Sequence, residues 1–89
     1  MQERYVEVTF RKGEPLAAYV YLPRRAGVKS TRTMEAAPGI LVDYAASGEP
    51  IGLEITAPHQ VTIAQVNAVL THLGLAAMTP EELAPLHAA

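Results

Sequence analysis

The chain has 89 residues, no cysteine and a net charge of −2. That length suits one domain with one core, and the missing thiols exclude disulfides and thiolate metal centres while agreeing with a reducing, cytoplasmic setting. Met1-Gln2-Glu3-Arg4-Tyr5 leads into no apolar stretch, so no secretory leader is expected, and the apolar runs are too short to span a bilayer.

Tyr5 to Phe10 alternates, with Val6, Val8 and Phe10 on one face and Tyr5, Glu7 and Thr9 on the other, the period of a half-buried strand. Arg11-Lys12-Gly13-Glu14-Pro15 reads as a turn. Leu16 to Leu22 is the second predicted strand: Leu16, Ala18, Val20 and Leu22 alternate with Ala17, Tyr19 and Tyr21. After the break Pro23–Gly27, Val28 to Glu35 is polar and β-branched, which suits a third strand at a sheet edge. Ala37-Pro38-Gly39 punctuates, Ile40–Tyr44 is strand four, and Pro50–Thr56 is strand five. The loop between them contains Gly48, and the two read as a hairpin.

The period then changes. Ile63, Val66, Val69, Leu70 and Leu73 form a helical stripe. Thr62 and Gln65 have the spacing of a capping box, and Gly74 suits the C-terminal end, so a helix is expected over Ile63–Leu73. Thr79-Pro80-Glu81-Glu82 repeats the start signal, and Pro85 holds this second helix to a turn or two. The expected architecture is a single α+β domain over 1–89: an antiparallel β-meander of four to five strands within 5–56, and a helical tail over 62–88 whose main helix packs on one face.

Charge is unevenly placed. All seven basic residues lie within the first 32 positions against Glu3, Glu7 and Glu14, a net of +4; beyond Arg32 six acids stand without a Lys or Arg, for −6. Arg24, Arg25, Lys29 and Arg32 supply the alternative reading, a nucleic-acid-binding regulator, but they form no dense run and no RNA-binding motif accompanies them. Nucleic acid is therefore the less favoured partner.

Gly39-Ile40-Leu41-Val42-Asp43-Tyr44, followed by Gly48 and Ile51-Gly52-Leu53-Glu54-Ile55, resembles the signature of a family of small bacterial proteins, Domain of Unknown Function 2283. In that family a V-D-Y strand, a Gly-containing turn and a V-G-I-E-I strand follow one another. Glu14 to Leu22 resembles the same family's E-A-D-A-L-Y-I-x-L strand, with Leu16 where the family has Asp. The resemblance spans about residues 5–58. It implies a β-meander of unknown activity, with an antitoxin-like place in a gene pair as a suggestion; the residues themselves lead to the expected function, a non-catalytic, self-associating interaction or regulatory module.

If strands four and five pair, Asp43 and Glu54 share the face opposite Val42, Leu53 and Ile55. Paired carboxylates can exchange protons or hold a cation; a solvated polar face is the favoured reading, and a cation or ligand site at Asp43 and Glu54 ranks third among the functions. Gly52 inside a strand suggests close approach of another group, either a tyrosine ring from the same face or a partner's backbone. That face would carry Tyr5, Tyr19 and Tyr21, side chains that suit an interface because they bury area and keep a polar tip. A homodimer through it is the favoured assembly, a heteromeric protein partner the second. His59, His72 and His87 match no zinc spacing, and Ser30 and Ser47 have no base beside them. No catalytic residue, metal site or cofactor is predicted.

Overall fold

The computed structural model describes residues 4–24 and 26–87. Five strands, β1 (Tyr5–Arg11), β2 (Glu14–Tyr21), β3 (Arg32–Ala37), β4 (Ile40–Tyr44) and β5 (Pro50–Ile55), form one antiparallel sheet. A helical tail follows, with α1 (Ile63–His72) and α2 (Pro80–Leu83) between 3-10 turns at Pro58–Gln60 and Ala84–His87. This is the expected α+β class, with α1 followed by a further stretch of tail rather than ending the chain.

The sheet order is β1-β2-β5-β4-β3. It departs from a sequential meander in one respect: the β1–β2 hairpin and the β3–β4–β5 meander join edge to edge through β2 and β5. Burial explains the choice. Ile51, Leu53 and Ile55 are buried on the core face, and Gly52 is buried on the other, which suits a place inside the sheet between two neighbours. β3 is exposed along nearly its whole length and takes an edge, as its polar sequence predicts.

Some boundaries differ from expectation. The first turn closes on Lys12 and Gly13, at φ 53° and 80°. Two successive left-handed residues make the type I′ hairpin whose twist matches the strands, and Pro15 falls inside β2. The register then slips between Thr9 and Phe10, leaving Phe10 and Leu16 about half exposed (48% and 51%) rather than in the core. β3 begins at Arg32 rather than Val28: its ladder with β4 ends at the Arg32–Tyr44 pair, and the last link before it is the Thr31 N–H, which donates to the Tyr44 carbonyl at 2.9 Å.

Ladder partners share a face, so the registers set out two core rows across all five strands: Val6–Val20–Leu53–Val42–Met34 and Val8–Ala18–Ile55–Ile40–Ala37. Val20, Leu53, Val42 and Ile55 have no exposed surface, and they pack with Val61, Val66, Leu70, Met78, Leu83 and Leu86 of the tail. The tail lies over β1 and β2. Met34, at the β3 end of its row, stays 53% exposed.

The tail holds its place through polar anchors. Thr62 and Gln65 make the expected capping box, and Thr79 makes a second with Glu82. Asn67 exchanges two hydrogen bonds with the Met78 backbone, at 3.0 and 2.8 Å. Arg4 donates to the Ala76 carbonyl and stands 3.9 Å from the Glu82 carboxylate. No helix among the described residues is long and apolar enough to cross a membrane.

Candidate functional site: the open face of the sheet

One residue along from each core row, the same strands build the opposite face. Its first row is Tyr5–Tyr21–Gly52–Asp43–Thr33 and its second Glu7–Tyr19–Glu54–Leu41–Glu35. Tyr5, Tyr19, Tyr21, Asp43, Gly52 and Glu54 therefore share one face, as the alternation of each strand predicts. Asp43 and Glu54 do not stand opposite each other: Asp43 faces Gly52, and Glu54 faces Leu41.

The side chains of the two rows interlock. Tyr5 stacks on Tyr21 with ring centres 4.4 Å apart and planes within 12°, and Tyr19 meets Tyr21 edge-on at 4.7 Å. The Tyr19 ring lies over Gly52, where a Cβ would overlap its hydroxyl and ring edge. Gly52 is thus explained by a tyrosine of the same chain. Lying flat over Gly52, Tyr19 reaches Asp43 on the far side and donates a 2.7 Å hydrogen bond to Oδ2. Thr33 donates to Oδ1. Tyr21 donates to Glu7 at 3.1 Å.

These contacts decide the local chemistry. Burial, then the Asp43 hydrogen bond and charge, push the Tyr19 hydroxyl far above the ordinary tyrosine range. Desolvation, then the Glu7 hydrogen bond and charge, raise Tyr21 as well. Both rings are held as neutral donors at physiological pH. Both Asp43 oxygens already accept hydroxyl hydrogens, an arrangement that positions aromatic rings. Among the described residues no group of three or more His, Asp or Glu is placed to hold a metal ion.

Among the described residues, Arg24 and Arg32 lie on opposite sides of the sheet. The Arg24 guanidinium stands 5.9 Å over the Tyr21 ring, at the margin of the open face. Arg32 stands 4.7 Å over Tyr44, which packs against the core on the other side of the sheet. Lys29 lies exposed in the loop between β2 and β3, and Arg25 falls outside the described residues. A cleft that chain order does not suggest brings His59 and His87 together with Glu14, Gly13, Pro15 and Leu86. There His87 Nε2 bonds the Val61 carbonyl at 2.7 Å, which ties the end of the tail to the start of α1.

Fold and face together define a small α+β domain with one face of its sheet packed under helices and the other left open. Residues 17–57, from β2 through β5, match the model of a family described as a protein of unknown function, DUF2283. The chain resembles that family there, as Gly39–Tyr44 and Ile51–Ile55 suggest; β1 and the helical tail lie outside the match. No curated protein and no solved structure is significantly similar to the chain.

Proposed function

We propose that the chain is a non-catalytic protein–protein interaction module, regulatory or antitoxin-like, that works through the open face of its sheet. One observation carries the reading: a stack of tyrosines, prepositioned by Gly52, Asp43 and Glu7, stands on the face opposite the one the helical tail packs against, with Arg24 at its margin. Ordered aromatic surface gives contact area at little entropic cost on binding. The groups best suited to chemistry on this face, Asp43 and Tyr19, are engaged with each other. The test is co-purification from the protein's native cells, comparing wild type with Tyr5→Ala. A stoichiometric protein companion held by wild type and lost from the variant supports the reading. A companion held equally by both, or none with either, overturns it.

Exposed Met34 favours a second reading, self-association along β3. Dimerisation through the tyrosine face would gather the carboxylates Glu7, Glu35, Asp43 and Glu54 of both copies into one interface, and like charges brought close are costly. The outer edge of β3 avoids this. A two-fold axis at Met34 lays Met34 beside its own copy and Thr33 beside Glu35, and continues the core row into the second sheet. The mass measured through a dilution series tests it: a dimer that Met34→Lys reduces to monomer is expected, and monomer mass at every concentration overturns it.

A further inference from the structure

The second row of the open face has an order that the interaction reading does not use. From edge to edge it runs Glu7–Tyr19–Glu54–Leu41–Glu35, an acid on β1, β5 and β3 and an apolar or aromatic residue on β2 and β4 between them. Neighbouring strands lie about 4.8 Å apart, so acids on alternate strands repeat at roughly 10 Å. An extended polyproline-like chain rises about 3.1 Å per residue and repeats its side-chain direction every third residue, at roughly 9 Å. Such a chain laid across the strands meets an acid at every third position and an apolar side chain between. Above this row lies the Tyr5–Tyr21 stack, and Arg24 over Tyr21 shows that a guanidinium fits against these rings.

We propose that the row Glu7–Tyr19–Glu54–Leu41–Glu35 receives an extended basic segment of a partner protein, crossing the strands with a Lys or Arg at every third residue. The inference rests on the interaction reading and names its partner by charge and spacing. Charge complementarity selects that occupant: the two rows carry four carboxylates and no Lys or Arg. A second copy would bring the same carboxylates, and a nucleic acid would bring phosphates against them.

The test uses the full chain, isotopically labelled and followed by amide NMR. Three peptides of equal length serve as probes: an Arg-Pro-Pro repeat, its isomer with all arginines contiguous, and a Gln-Pro-Pro repeat. The Arg-Pro-Pro repeat is expected to shift the amides of Tyr19, Leu41 and Glu54 saturably, less so as salt is raised. Binding should weaken about tenfold in the E7Q/E35Q/E54Q variant, whose own spectrum reports its fold. Tyr5→Ala, which keeps all four carboxylates, should weaken it less. Equal binding of the contiguous isomer overturns the spacing, and equal binding of the Gln-Pro-Pro repeat overturns the charge; both leave the interaction reading standing. No saturable shift with the Arg-Pro-Pro repeat overturns the inference, whereas the interaction reading falls on co-purification.

Discussion

On the covered face of the sheet, Val20, Leu53 and Val42 stand side by side with no surface exposed. One residue along the same strands, Tyr21, Gly52 and Asp43 stand side by side on the open face. The first row is held by exclusion of water and depends on volume. The second is held by ring contacts and hydrogen bonds, and depends on the direction of each polar group. A strand serves both because its side chains alternate, so single substitutions can attack one face while the backbone and the other face stay as controls.

The largest expected effect is on the covered side. Leu53→Ala empties the centre of the core and should cost about 2–5 kcal/mol, read from chemical denaturation. A cost under about 1 kcal/mol would mean that the helical tail does not cover Leu53. Next comes Gly52→Ala on the open side. The added methyl overlaps Tyr19, and overpacking of this kind costs about 1–3 kcal/mol. In a Tyr19→Ala background the same change should be nearly free. That coupling would show the cost to lie in the ring and not in the strand.

How much of each face could be read beforehand differs for a physical reason. Alternation within β2, β4 and β5 is local, so Tyr19, Tyr21, Asp43, Gly52 and Glu54 fall on one face whatever the strand order. The pairing of Asp43 with Tyr19 is not local. It requires β5 to lie between β2 and β4, with Gly52 leaving the ring a path across. Two further residues also escaped: Thr33, which completes the Asp43 site, and Arg4, which anchors the tail at Ala76 and Glu82. Each meets a partner on another element, and such a pairing leaves no periodic signal in the sequence. The capping boxes at Thr62 and Thr79 are different, since each is complete within four consecutive residues, and the first could be read in full.

A capping box therefore gives a middle-sized test of the covered side. Thr62→Ala leaves the Gln65 amide without its side-chain acceptor at the start of α1 and should cost about 1 kcal/mol. Thr62→Ser keeps the hydroxyl and should cost much less. Equal losses would place the contribution of Thr62 in its methyl group.

The smallest effect at ordinary pH, and the one specific to the open face, is titration of Tyr19. Its folded value lies above the ordinary 10.0, so the folded chain holds this proton more tightly than the unfolded chain. The corresponding stability is fully present below about pH 10 and is lost as the pH rises from there through the folded value. The urea midpoint should therefore fall above pH 10, and fall less steeply in Tyr19→Phe. Tyrosinate absorbance should show part of its rise delayed beyond the ordinary range. Asp43→Asn separates the causes: it removes the neighbouring charge but leaves the ring buried over Gly52. A delay that shrinks without vanishing is expected, because burial is the larger cause. A delay that vanishes would mean that the hydrogen bond also holds the ring down on Gly52, and that the open face loses its order when Asp43 loses its charge.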